Sequence, residues 1–397
     1  MAEWQMVRIG TVVSTNQRTY SPKENLQFVN YLDTGNITMN QVDKIQYINT
    51  SIDKLPSRAR RKVKLNSIIY STVRPNQLHY GIIKEQPENF LVSTGFAVID
   101  VDSEKAIPDY IYYALTQPKV TEYLQSIAEQ SVSAYPSIKP LNIENLEILL
   151  PDKKTQEKIV HILCSIDEKI KLNNEINNNL EQQAEALFHS LFVENANPIW
   201  KDGVLSDLGT VVTGGTPSKT KPEYYSKHGI AWITPKDLSL NKSKFISHGE
   251  NDISELGFSK SSATKMPAGT VMFSSRAPIG YIAIAANEVT TNQGFKSVVP
   301  NKNVGTAFMY YLLKSLLPTI EGMASGSIFK EISGAGMKSV PVVIPDNETI
   351  EKFNAFCTPI FQQQEVLEVE NSRLADIRDA LLPKLISGEL DVSNIDL

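Results

Sequence analysis

The densest chemistry in this chain is a run of positive charge, KLPSRARRKVK, over residues 54–64. It holds Lys54, Arg58, Arg60, Arg61, Lys62 and Lys64, and no acidic residue follows until Glu85. Clustered Lys and Arg neutralise phosphates, and Arg is also the usual bidentate reader of guanine, so the run is a candidate nucleic-acid edge. A solvated loop is the plain alternative for any charge run. Lys260 and Lys265 fall in the corresponding segment of an internal repeat. Arg74 and Arg276 each follow a β-rich run and either reach a nucleic acid or brace a turn. Around GGTPSK (214–219), glycine backbone N–H groups with Lys219 and Lys221 could cradle a phosphate. The same Gly-Gly pair suits a structural turn closing the preceding strand equally well. Tyr224, Tyr225 and Trp232 read as core rather than as base-stacking groups.

Residues for catalysis are present but not spaced for it. The histidines at 79, 161, 189, 228 and 248 are scattered, and Cys164 and Cys357 lie far apart, so no metal-ligand spacing appears. The glycine-rich loop GxxxxGK followed by Ser or Thr is matched nowhere. Also absent is the tetrapeptide of an amino-methyltransferase: Asn, Asp or Ser, then two prolines and an aromatic. PDKK at 151–154 offers a carboxylate and lysines, as a nuclease would, but it opens a helix. Asp152 therefore reads as an N-terminal cap, with Asp346 as its counterpart. The two cysteines read as small buried hydrophobes and suit a reducing compartment.

Charge is distributed by segment. The whole chain carries net −5 with a pI near 5.7. Residues 1–150 balance 15 basic against 15 acidic groups, and 197–345 hold 15 against 10. The acid excess lies in 151–196 (5 against 8) and 346–397 (4 against 11). An acidic total thus coexists with local basic surface. No run approaches 18 apolar residues and the start lacks an apolar signal-type core, so neither a membrane span nor a signal peptide is expected.

The acidic segments are the elements that must position the rest. From Ile159, steps of four and three reach Leu163, Ile166, Ile170, Asn173, Asn177, Leu180, Ala184, Leu187 and Leu191. Between Pro151 and Pro198 no Gly or Pro interrupts this seam, which predicts a rod of about 60 Å. A second seam runs through Ile350, Phe353, Cys357, Ile360, Gln364, Leu367, Asn371, Leu374, Arg378, Leu381 and Leu385. Both are polar in the middle. An amphipathic helix lying on a globular core would show a similar stripe. Paired rods explain the matched design better, and the buried Asn residues would then fix their register.

Outside the rods the chain repeats itself. IGTVV (9–13) answers to LGTVV (208–212), and residues 65–71 answer to 268–274. Ser93 to Phe96 answers to Asn292 to Phe295, Tyr112–Tyr113 to Tyr310–Tyr311, and LLPD (149–152) to VIPD (343–346). The expected layout is therefore a mixed α+β chain of four segments. Residues 1–151 form a first domain, 152–196 a rod, 197–345 a second domain, and 346–397 a second rod with a tail.

GGTPSK, PEYY (222–225), AWITPKDL (231–238), AGTVMFSSRAPIG (268–280), TNQGFK (291–296) and LLPKLISGEL (381–390) together resemble the specificity subunit of type I restriction–modification systems. The resemblance covers nearly the whole chain. It implies two repeated α/β target-recognition domains separated by two long helices that form an antiparallel intramolecular coiled coil. It implies a subunit that does no chemistry and reads a bipartite DNA site, one domain per half-site. The expected partners are double-stranded DNA, two methylation subunits, and restriction subunits in the cytoplasm. S-adenosylmethionine, ATP and Mg would be held by those partners and not by this chain. The first domain departs from the pattern, with VVSTNQRTY (12–20) in place of VVTGGTPSK, so its approach to DNA is expected to differ. A coiled-coil scaffold with two protein-binding domains and no DNA contact is the competing reading.

Overall fold

Each domain begins and ends on one small pair of strands, from which a long helix departs. The computed structural model describes residues 4–131, 135–326 and 330–395. It divides into two compact units that cut across the predicted segments. Unit 1 is Met1–Lys169 with Leu374–Leu397, and unit 2 is Ile170–Arg373.

In unit 1, Gln5–Arg8 pairs antiparallel with Glu147–Leu150 and brings the domain's ends together. The β-rich stretch VRIGTVV (7–13) is broken by a turn at Ile9–Thr11. That turn drops Ile9 into the core, fully buried, while its N–H donates to Leu146 O at 2.9 Å. The main sheet has the antiparallel order Val13–Thr15, Phe96–Val101, Ile68–Ser71, Tyr80–Ile82. A second sheet orders Gln46–Asn49, Phe28–Leu32, Phe90–Ser93 and Ala59–Lys62, with Phe28–Leu32 and Phe90–Ser93 parallel. Helices Pro108–Leu115 and Pro118–Glu129 are separate, because Pro118 forces Gln117 into an extended conformation.

Unit 2 repeats this plan. Lys201–Val204 pairs with Pro341–Ile344. Its sheet runs Gly209–Thr213, Lys296–Pro300, Val271–Ser275, Ile279–Ala285, which is the order seen in unit 1. A fifth strand, Phe245–Ile246, is added alongside Ile279–Ala285. The second lobe also corresponds, but in reduced form. Trp232–Ile233 lies parallel to Thr290–Thr291, as Phe28–Leu32 does to Phe90–Ser93, and Met266 bridges Val289 where Ala59–Lys62 pairs in unit 1. The repeat is thus a repeat of topology, and its divergence lies in the second lobes.

The matched turns explain why different residues occupy them. Ser93 Oγ accepts from Gly95 N–H at 3.3 Å, and Asn292 Oδ1 accepts from Gly294 N–H at 2.8 Å. Either side chain closes the turn by reaching the N–H two residues on. The turn carbonyl then accepts from Thr72 N–H in unit 1 and from Ser275 N–H in unit 2.

The long helices are Lys153–His189, followed by one π-helical turn at Ser190–Glu194, and Asn347–Ile386. Asp152 Oδ1 accepts from Thr155 N–H at 3.1 Å, and Asp346 Oδ1 from Thr349 N–H at 2.9 Å. Both are the N-caps read from the sequence. In each cap, hydrogen bonds from the capped threonine hold the carboxyl below the usual aspartate range.

The apolar stripe serves both purposes anticipated for it. In unit 1, Ile159 and Leu163 are fully buried within the domain core, against Leu381, Leu382 and Leu385 of the second helix. Ile166 and Leu374 are half-buried. In unit 2, Ile350, Phe353, Cys357 and Ile360 share a core with Leu180, Ala184, Leu187 and Phe188, and Leu367 is buried. Ile170, Asn177, Leu191 and Asn371 are half-buried. Partners fall in rank as numbers rise within each unit: Lys158 with Ser393 and Asp167 with Arg378 in unit 1, Asn173 with Asn371 and Phe188 with Phe353 in unit 2. The pairing is antiparallel in both units.

The polar middle lies in unit 2. Asn173 is fully buried, and its Nδ2 donates to Asn371 Oδ1 at 2.9 Å and to Glu370 Oε2 at 2.8 Å. Asn371 Nδ2 donates to Asn174 Oδ1 at 2.8 Å. Asn173 Oδ1 and Asn177 Oδ1 are buried with no partner, each an energetic cost of about 1–3 kcal/mol. Asn173→Leu combined with Asn371→Leu should therefore raise the melting temperature by about 3 °C per kcal/mol recovered. It should also loosen the single alignment of the helices. A lower melting temperature in a thermal scan would contradict this assignment of the asparagines.

Candidate nucleic-acid interface

The basic run of unit 1 is built on an edge strand. Ala59–Lys62 ends the four-stranded sheet, and its outer side is covered by Arg18–Tyr20: Tyr20 N–H donates to Arg60 O at 2.7 Å and Lys62 N–H to Arg18 O at 3.1 Å. Strand alternation separates the charges. Arg60 lies 5.8 Å over the Tyr20 ring and Lys62 pairs with Glu24, whose carboxyl is held low chiefly by that hydrogen bond. Arg61 is half-buried, with its Nε enclosed and without an acceptor, and burial pulls its guanidinium below the ordinary range. Lys54, Arg58 and Lys64 are exposed. The six charges are therefore unequal, three being open to solvent and three held by the domain.

Unit 2 gathers Lys219, Lys221, Lys260 and Lys265 on one loop cluster. Gly215 abuts Ser262 and Ala263, and Ser254 N–H donates to Tyr224 O at 3.0 Å, so residues 214–225 pack on 254–263. Lys219 and Lys260 are exposed. Lys221 pairs with Glu223 at 3.9 Å, while Lys265 pairs with Glu288 at 3.1 Å and lies 5.4 Å over the Phe258 ring. Lys265 precedes the bridge that stands for the basic strand of unit 1, so both basic segments occupy the same place in the repeated plan.

The Gly-Gly turn is structural. A side chain at Gly214 would collide with the carbonyls of Thr291 and Asn292, and one at Gly215 with the backbone of Ser262 and Ala263. Gly215 N–H donates to Thr291 O at 2.8 Å and its carbonyl accepts from Trp232 Nε1 at 2.9 Å. These backbone groups are spent within the domain. Tyr225 O–H donates to Pro217 O, and Tyr225 meets the buried Trp232 edge-on at 5.8 Å, so both belong to the core of the lobe.

Arg74 and Arg276 sit at corresponding turns with different partners. Arg74 adopts a left-handed backbone (φ 48°) and lies 5.4 Å over the Tyr135 ring. Arg276 pairs with Glu331 at 3.4 Å, beside the buried Lys296. Each braces its turn in this structure. Among the described residues, no group of three or more His, Cys, Asp or Glu is gathered to hold a metal. Among the same residues, no helix is long and apolar enough to cross a membrane.

A polar network missed in the sequence ties each domain to the helices within its unit. In unit 1, Tyr113 O–H donates to Asp167 Oδ2 at 2.6 Å, and Arg378 Nη1 donates to Asp167 Oδ1 at 2.9 Å. In unit 2, Tyr311 O–H donates to Glu181 Oε2 at 2.9 Å, and Glu181 also holds Lys244 and, at 2.9 Å, Lys314. The repeated tyrosine pair was its visible sequence signal. Burial pushes the Glu181 carboxyl up, but Lys244 and Lys314 outweigh it and hold it at about 2. With the Glu181 side chain 23% exposed, the shift corresponds to on the order of 3 kcal/mol. A depressed folded pKa contributes stability that is complete above the unfolded value and disappears as pH falls toward the folded one. Glu181→Gln should therefore melt well below wild type near neutrality, and the two should converge between about pH 5 and pH 2. Parallel melting curves across that window would contradict the assignment.

A family model described as the type I restriction modification DNA specificity domain matches residues 1–182 and again 199–369. The type I restriction enzyme HindI specificity subunit of Haemophilus influenzae is 26% identical over 467 aligned positions, covering 98% of this chain and 100% of that protein. The MjaIX specificity subunit of Methanocaldococcus jannaschii is 39% identical over 155 residues, 38% of this chain and 36% of that one. Among solved structures, the type I restriction–modification system S subunit from M. genitalium aligns over 99% of this chain and 97% of its own at 17% identity, with a TM-score of 0.59, and so shares the fold. Two family matches, one on each repeat and together spanning most of the sequence, settle the kinship: this chain belongs to the type I restriction modification DNA specificity domain family.

Proposed function

We propose that this chain is the DNA-specificity subunit of a type I restriction–modification complex, with one target-recognition domain reading each half of a bipartite site. The observation that carries this reading is the repeat itself. One topology occurs twice, each copy matches the specificity-domain model, and the copies diverge in the lobes that bear the basic segments. Diverged lobes on a common frame suit two half-sites of different sequence. Base-edge contacts supply such specificity, and Lys and Arg contacts to phosphate supply affinity. Full-length similarity to a protein named as a specificity subunit supports the same role.

Lys54, Arg58 and Lys64 are the leading phosphate contacts of the first domain, with Arg60, Arg61 and Lys62 behind them. Lys219, Lys221, Lys260 and Lys265 serve the second, and Arg74 and Arg276 support the turns beside them. The chain itself performs no chemistry. Methylation subunits, two in number, bind S-adenosylmethionine and methylate adenine, and restriction subunits use ATP and Mg to translocate and cleave. The complex works in the cytoplasm. A gel shift of the purified chain with its methylation partner on genomic fragments tests this. Retention of a specific subset against competitor DNA is expected, and absence of any shift favours the scaffold reading.

A further inference from the structure

The extra strand of unit 2 does more than widen a sheet. Lys244 stands immediately before Phe245–Ile246, the fifth strand, which among the described residues has no counterpart in the main sheet of unit 1. The Lys244 side chain is 7% exposed. Its Nζ pairs with Glu181 on the first long helix and donates to Gln364 Oε1 on the second at 2.7 Å. The rings of Tyr310, Tyr311 and Phe361 surround it at 4.8, 5.4 and 4.2 Å. Glu368, also on the second helix, accepts from the backbone N–H groups of Lys244 and Phe245 at 2.8 and 3.0 Å. A single point of the domain is thereby bound to both helices.

The chain on either side of that point belongs to the second lobe. Trp232–Ile233 and Pro235–Leu240 precede it, and Asp252–Ile253 follows. An ion pair in a dry, ring-lined site is directional, and it resists the sliding that an apolar contact of equal area would permit. The grip therefore fixes the angle at which this lobe leaves the helices. In unit 1 the helix pair is met by Tyr113 at Asp167 and Arg378, and among the described residues no sheet lysine bonds to Asp167.

We propose that Lys244 is a positioning residue which locks the second recognition lobe to the helix pair, and so sets how strictly the protein selects the separation between its half-sites. This rests on the reading of the chain as a bipartite DNA reader. Lys244 touches no base in this account, and its effect is on spacing rather than on sequence preference.

The test uses the full chain with its methylation subunits, on duplexes carrying the mapped half-sites at the native separation and at one or two base pairs more or less. Lys244→Met is expected to keep half-site preference and to methylate the native spacing within about threefold of wild type. Its discrimination against spacings one base pair off should fall about tenfold or more, the consequence of losing one buried charge pair. Glu368→Gln, which retains the lysine but weakens the hold on the strand, should shift the profile the same way and serves if Lys244→Met does not fold. Lys352→Met, at an exposed pair with Glu348 on the second helix, should leave the profile unchanged. Equal loss at every spacing with discrimination intact would mean a merely structural residue and would overturn the proposal, as would a wild-type profile in both variants. A wild-type complex that binds without regard to sequence would instead remove the DNA reading beneath it.

Discussion

Inserting one matched heptad into each long helix, between Asp167 and Asn173 in the first and between Asn371 and Arg378 in the second, should lengthen the preferred separation of the half-sites by about three base pairs. Seven helical residues add about 10 Å, and a turn of B-DNA takes about 34 Å for its ten base pairs. The insertion must be matched because the partners are specific: a heptad in one helix alone would carry Asn173 away from Asn371 and part of the core of Ala184 and Phe188 away from Phe353 and Cys357. That single insertion should lower the melting temperature sharply, whereas the double one keeps the facing residues in register. The separation is read from the methylated sites of the variant complex. An unchanged separation would show that the length of the helices does not set it.

The second large effect is electrostatic. Replacing Lys54, Arg58, Arg60, Arg61, Lys62 and Lys64 together by Gln should weaken specific binding by about 10²–10³-fold near physiological salt. Each phosphate contact contributes about 0.9 to the slope of log affinity against log salt, so the slope should become shallower by about three. It should not change by the full six contacts, because Glu24 already neutralises Lys62, Tyr20 covers Arg60, and Arg61 is partly enclosed. Two smaller sets separate these shares. Neutralising Lys54, Arg58 and Lys64 should give most of the binding loss with little change in melting temperature, while neutralising Arg60, Arg61 and Lys62 should mainly destabilise unit 1. Equal binding by the six-site variant and wild type, across a salt titration, would move the DNA face elsewhere.

What the sequence made legible follows from how local each signal is. The helices were readable because Ile159, Leu163, Ile350 and Phe353 recur at helical spacing with no Gly between them, and because Asp152 and Asp346 cap them through threonines three residues on. The repeat was readable because its frame strands are short apolar runs in a fixed order. The second lobes were harder. Phe28–Leu32 alternates only partly, and its counterpart Trp232–Ile233 has just two residues, too few for any period to show.

The site was the least legible part, since its charges are decided by partners distant in sequence. Glu24 meets Lys62 from 38 residues away and Glu181 meets Lys244 from 63, and neither pairing leaves a local pattern. The Gly-Gly turn was ambiguous for the same reason. Whether its N–H groups face a phosphate or a neighbouring strand depends on where Thr291 and Asn292 arrive, and they arrive directly against it.

The most direct test of the whole account is to map modified adenines in the DNA of a host carrying this chain with its methylation partner, against the same host lacking only this chain. One asymmetric motif is expected, two short half-sites of unrelated sequence at a fixed separation, present in the first host and absent in the second. Identical modification in both hosts, or a single contiguous motif, would contradict it.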